Sequence, residues 1–195
     1  MNRTTVTTLA LAIQAQQPVL LVGDPGIGKT SVIYAIARHL ERKCRVIPAH
    51  IYSQEDIGGF PAPDFDRGFV RMLPNEALFS GIEPNEIILW NEHKQGCLMR
   101  VVLENRAGVH ALPDGVSHVA DMNPPEHSAG GTDIAPPLAN RFMWLNATVD
   151  TKAWCEAALK DFPDPEVPRL NPEWKQLIGP QLSLVVAYVR ARQDV

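Results

Sequence analysis

The feature that most constrains this chain is the run Gly23-Asp24-Pro25-Gly26-Ile27-Gly28-Lys29-Thr30, which follows the apolar segment PVLLV (18–22) and opens a stretch of helical periodicity. It satisfies the pattern GxxxxGK[ST] in the context its chemistry needs: a strand, a glycine-rich loop and a helix, in that order. Glycines let backbone N–H groups close on phosphate oxygens while the positive end of the helix dipole faces the anion. Lys29 is then expected to reach the β- and γ-phosphates of a nucleotide, and the Thr30 hydroxyl to ligate Mg²⁺. Gly23, Asp24, Pro25, Gly26, Ile27, Gly28, Lys29, Thr30 and Ser31 form the candidate nucleotide-binding set. The competing reading is a glycine-rich turn with an incidental lysine.

Short apolar runs alternate with helical patterns along the rest of the chain, as in an α/β domain with a mainly parallel sheet. The strands are expected at 18–22, 44–50, 86–90, 117–122 and 142–146. A helix is expected from Thr30 to Glu41, with Val32, Ile33, Ile36, Ala37 and Leu40 on one face, and another over about 93–105 with Leu98, Val101 and Val102 inward. Leu9, Ala10 and Ile13 place a further helical face at the start. The connection from Ile51 to Asn85 is long and rich in Gly and Pro, and the alternation around FVRML (69–73) predicts a small projecting hairpin within it. A second hairpin is expected between Ala107 and Ser117, turning at Pro113-Asp114-Gly115. Prolines 163, 165, 168 and 172 mark a change of composition, which divides the chain into a core over 1–160 and a linker with the start of a helical unit over 161–195.

Composition removes several classes. With 195 residues, 18 Lys+Arg and 22 Asp+Glu, the net charge of −4 provides no global field for nucleic acid. No apolar run reaches the ~18–20 residues of a membrane span, and the N-terminal segment lacks a signal-peptide pattern, so a cytoplasmic protein is expected. Cys44, Cys97 and Cys155 stand far apart, and six scattered histidines lack metal-ligand spacing.

A second chemical signal is EIILWNE (86–92), an apolar strand that ends in Asn91 and Glu92. In phosphate-loop ATPases an acidic residue at this strand end orders Mg²⁺ and the next one polarises the attacking water. Glu92 suits the second role. Asn91 takes the metal-ordering position, where its amide can accept a hydrogen bond from a metal-bound water but brings no charge. Read alone, the pair also fits an ordinary solvent-facing strand end.

The stretches PVLLVGDPGIGKTSVI (18–33), SQEDIGGFP (53–61), IILWNE (87–92), RVVLENRAGVHALPDGVSHVADMNPPE (100–126), APPLANRF (135–142) and DPEVPRLNPEWKQLI (164–178) together resemble the large domain of MoxR-type AAA+ ATPases, particularly actinobacterial members. The resemblance implies a three-layer phosphate-loop NTPase sandwich with a parallel five-stranded sheet in the order 2-3-4-1-5, binding ATP with Mg²⁺. It also implies that Asn123 corresponds to the sensor-1 residue holding the attacking water, and that Arg141 corresponds to the arginine finger. A finger acts on the nucleotide of a neighbouring subunit, so the resemblance implies a homo-oligomeric ring, usually a hexamer, that remodels or matures a client protein. Three departures accompany it. Asn91 replaces the metal-ordering Asp, only seven residues separate Glu92 from Arg100, and the chain ends at Val195 where the family's helical lid begins, without a sensor-2 arginine. These departures keep open a nucleotide-binding module with little hydrolysis, acting by ATP-dependent docking or assembly. A small-molecule kinase shares the loop but needs an Arg-rich lid, and the Pro-rich tail argues against one.

Overall fold

The computed structural model describes residues 1–91, 97–124 and 140–178. Its centre is a five-stranded sheet built from β1 (Val19–Val22), β2 (Cys44–Pro48), β5 (Ile87–Asn91), β8 (Ser117–Met122) and β9 (Met143–Asn146). Every pairing is parallel, and the strands lie in the order β2-β5-β8-β1-β9. Counted along the chain, this is the expected 2-3-4-1-5. The strands read as near-continuous apolar runs because both faces of the sheet are covered.

Alternation along each strand sorts the core into two layers. Val19, Leu21, Ile87, Leu89 and Val119 face one way and pack with Leu9 and Ile13 of α1 (Arg3–Gln14) and Ile33 and Ile36 of α2 (Lys29–His39). Leu20, Ile47, Ile88, Trp90 and Ala120 face the other way and meet Leu98, Val101 and Val102 of α5 (Cys97–Glu104). The three inward positions expected of α5 are thus in the core. Its start falls at Cys97, and the earlier part of the expected helix lies outside the described residues.

The long connection after β2 carries two short helices, α3 (Gln54–Gly58) and α4 (Glu76–Phe79), around the antiparallel hairpin β3 (Phe60–Asp64) and β4 (Phe69–Leu73). Phe65, Phe69 and Val70 are exposed on it, as a projecting hairpin implies. The second hairpin differs from expectation. It pairs β6 (Arg106–Ala107) with β7 (His110–Ala111), and its turn is at Gly108-Val109 rather than Pro113-Asp114-Gly115. Gly108 has φ +57°, and a Cβ there would stand 2.3 Å from the Met72 carbonyl oxygen, so only glycine lets the turn press against β4. Pro113-Asp114-Gly115 instead leads into β8.

At the amino ends of the strands, the Arg42 guanidinium donates to the carbonyls of Ile13, Asn85 and Gly115 and to Ser117 Oγ. Beyond β9 a helix covers Thr151–Ala158. The proline-rich segment then returns along the α1–α2 layer. Gln14 donates to the Pro168 carbonyl and accepts from the Leu170 N–H, Arg38 pairs with Asp164, and Val167 is buried in the core. A short helix, Trp174–Leu177, closes the described chain, and no described helix is long and apolar enough to cross a membrane.

Candidate nucleotide site

The carboxyl ends of β1, β5 and β8 meet the head of α2, the place where open α/β sheets bind ligands. The turn out of β1 is tight. Gly23 N–H donates to the Met122 carbonyl at 3.1 Å, and a Cβ on Gly23 would stand 2.6 Å from the Ala147 carbonyl oxygen. Gly28, the N-cap of α2, has φ +87°, and no side chain caps the helix. The first-turn N–H groups of an eleven-residue helix therefore face the loop without a side-chain acceptor, which suits an anion.

Lys29 is only 7% exposed, and its ammonium group is held by three oxygens: the Gly23 carbonyl at 2.6 Å, the Asp24 carbonyl at 3.0 Å and Asn123 Oδ1 at 2.8 Å. The lysine thus ties the phosphate loop to the end of β8. A cavity of about 370 Å³ lies over it, lined by Pro25, Gly26, Gly28, Lys29, Thr30, Ser31, Asn91, Asp121, Met122 and Asn123. Of the expected nucleotide-binding set, Gly23, Asp24 and Ile27 shape the loop without lining this cavity. Ile27 packs toward the core beside α2.

Asn91 and Asp121 are Cα partners in the β5–β8 register. They continue the same side of the sheet as Leu89 and Val119, the side on which α2 packs. Asn91 Nδ2 donates to Asp121 Oδ1 at 3.0 Å and Oδ2 at 3.2 Å, and Asp121 is 3% exposed. With its NH₂ committed to the carboxyl group, Asn91 keeps its Oδ1 as an acceptor. Thr30, Asn91 and Asp121 present hard oxygen ligands beside an anion-binding loop, which fits a magnesium–nucleotide complex.

Sequence reasoning missed Asp121. Its signal is slight: an acidic residue in the strand SHVADM, two positions before Asn123. Arg141 is exposed just before β9, at the opposite end of the strands from the phosphate loop, and it does not line the cavity. Glu92 lies outside the described residues.

Behind the site, on the other face of the sheet, Trp90 Nε1 donates to His118 Nδ1 at 3.2 Å, and His118 Nε2 stands 3.1 Å from Asn105 Oδ1. An indole N–H only donates, so Nδ1 must accept and Nε2 carries the proton toward Asn105. Burial pushes the His118 pKa down to about 4. The ring is neutral and fastens β5, β8 and the residue after α5 to one another.

The sheet order and the loop between β1 and α2 give the chain the α/β fold of phosphate-loop AAA+ proteins. Solved structures with this fold include a candidate ATPase from Cytophaga hutchinsonii, with a TM-score of 0.58 and 21% identity, aligned over 82% of this chain and 50% of that one. The Thermotoga maritima RuvB Holliday junction branch migration motor aligns with a TM-score of 0.53 and 20% identity, over 83% of this chain and 52% of its own. Among curated proteins, Midasin from Giardia intestinalis is 34% identical over 104 residues, 48% of this chain and 2% of its own length. Midasin from Dictyostelium discoideum is 43% identical over 54 residues, 27% of this chain and 1% of its own. The chain therefore spans about half of the similar solved structures and a small part of these relatives. No family profile matches it.

Proposed function

We propose that this chain is the nucleotide-binding core of a cytoplasmic MoxR-type AAA+ ATPase that hydrolyses Mg-ATP and couples the cycle to remodelling or maturation of a partner protein. The observation that carries the nucleotide assignment is the meeting of Lys29, Thr30, Asn91 and Asn123 on one cavity at the uncapped head of α2. Bound Mg²⁺ supplies charge neutralisation on the β- and γ-phosphate oxygens. The loop N–H groups from Gly26 to Ser31 bind the phosphates, and Lys29 exchanges its carbonyl contacts for phosphate oxygens. Thr30 offers a hydroxyl oxygen to the cation. Asn123, already bonded to Lys29, orients the attacking water, and Glu92 accepts its proton. Arg141 acts on the nucleotide of a neighbouring copy in a homo-oligomeric ring. Its position away from its own chain's cavity supports that role. Residues 1–160 serve as the core, and 161–195 form a proline-rich linker and the start of a helical lid.

The test is ATP turnover measured with and without Mg²⁺ over a range of protein concentrations. Turnover per subunit that rises with concentration, and is lost in Glu92→Gln and Arg141→Ala, supports an active ring. Turnover that is independent of both residues contradicts it. One observation favours a second reading, a docking module with little hydrolysis: the neutral amide of Asn91 at the metal-ordering position. Tight ATP binding without turnover at any concentration selects that reading.

A further inference from the structure

We infer that Asp121 supplies the carboxylate that orders the divalent cation, and that Asn91 acts as the amide which orients it. This rests on the proposed magnesium–nucleotide site and assigns one of its charges to a strand where the sequence pattern did not place it.

Three observations carry the assignment. The first is register: Asp121 is the Cα partner of Asn91 on β5 and of Leu21 on β1, so it lies between the strand that bears the amide and the strand that feeds the phosphate loop. A carboxylate moved from Asn91 to this position remains on the same level of the sheet and comes one strand closer to Thr30. The second is contact. Both Asp121 oxygens accept from Asn91 Nδ2, which fixes the plane of the carboxyl group, and the residue lines the same cavity as Lys29 and Thr30. The third is burial. At 3% exposure the carboxyl group is shielded from bulk water, so solvent competes little with a cation bound beside it. A neutral Asn in the metal-ordering position is then an exchange of roles between neighbouring strands, and the site keeps one carboxylate. Mg²⁺ commonly binds through one or two carboxylates, with waters and phosphate oxygens filling its other positions.

The experiment titrates ATP against the full chain by calorimetry, in EDTA and across a range of Mg²⁺. Binding of Mn²⁺ to the nucleotide complex is followed in parallel by paramagnetic resonance. In Asp121→Asn we expect Mn²⁺ affinity in the nucleotide complex to fall more than about 100-fold, beyond the roughly 10–100-fold that losing a group which only orients a metal ligand costs. Affinity for ATP in EDTA does not fall, because the charge–phosphate contacts come from the loop and Lys29 and removing a carboxylate from the cavity lessens repulsion of the phosphates. Asn91→Ala keeps the Asp121 carboxylate, so the loss of Mn²⁺ affinity is smaller, about 10-fold, the low end of the cost of removing a group that orients a metal ligand. Unchanged Mn²⁺ affinity in Asp121→Asn overturns the inference. So does a loss in Asn91→Ala as large as that expected of Asp121→Asn, and this second variant decides the matter even if Asp121→Asn does not fold. A wild-type chain whose ATP binding ignores Mg²⁺, or survives Lys29→Ala intact, overturns the underlying nucleotide-site reading. That outcome is distinct from one in which only the Asp121 assignment fails.

Discussion

Asn91 donates its side-chain amide to both carboxyl oxygens of Asp121, at 3.0 and 3.2 Å, across two parallel strands whose Cα atoms pair in register. The contact joins the end of β5 to β8, the central strand that leads into Asn123. A polar pair therefore replaces the next apolar layer where the sheet opens toward the phosphate loop.

Lys29 is the first residue to test. Its ammonium group bonds to two loop carbonyls and to Asn123, so it holds the loop closed onto β8 as well as facing the cavity. Lys29→Ala should weaken ATP binding about 10–100-fold, the equivalent of one or two charge-assisted hydrogen bonds. Calorimetric titration in EDTA measures this without interference from the cation.

Gly23 separates packing from backbone freedom. A Cβ there meets the Ala147 carbonyl oxygen at 2.6 Å and the Ala147 Cβ at 2.8 Å, both belonging to the chain that leaves β9. Gly23→Ala should cost about 1–3 kcal/mol, as overpacking does, and should lower ATP affinity because the displaced segment borders the loop. Thermal unfolding with and without ATP checks both effects.

His118 should make stability fall on acidification. Its folded pKa of about 4 lies below the ordinary value of 6.5, so between these limits the unfolded chain binds the extra proton. Stability is therefore fully present above about pH 6.5 and is lost as pH falls toward 4, by about 3 kcal/mol in all. His118→Asn retains an acceptor for the Trp90 indole and should flatten this part of the profile. Denaturant titrations at pH 7 and pH 5 provide the comparison.

Gln14 anchors the returning tail through the Pro168 carbonyl and the Leu170 N–H. Gln14→Ala should release that segment at a cost of about 1 kcal/mol while leaving the sheet intact. Hydrogen exchange should accelerate at the Leu170 amide and remain unchanged in β1 and β8. Unaltered exchange at Leu170 would show that other contacts hold the tail.

How far the architecture could be read in advance followed from how local each signal was. Gly23 to Thr30 announces itself because its chemistry is confined to one loop. The strands 18–22 and 86–90 are legible because their apolar runs are covered on both faces. The turn at Gly108 was not, since its cause is a distant carbonyl of Met72 pressed against the backbone. Pro113-Asp114-Gly115 was the stronger local turn signal, and it is spent on entering β8. Asp121 escaped for the same reason as Gly108. Its meaning depends on strand register, which brings it beside a residue thirty positions earlier in the chain. The neutral His118 is likewise defined by Trp90 and Asn105, and nothing in its own neighbourhood in the sequence marks it as buried.

The proposed function requires that the cavity between the phosphate loop and the ends of β5 and β8 hold a magnesium–nucleotide complex. Equilibrium binding of ATP to the wild-type chain, with Mg²⁺ and with EDTA, tests it most directly when Lys29→Ala is measured beside it. Such a site predicts saturable binding of one nucleotide per chain, tightened by Mg²⁺ and weakened by the substitution. Absence of saturable binding, or binding indifferent to Lys29, would contradict it.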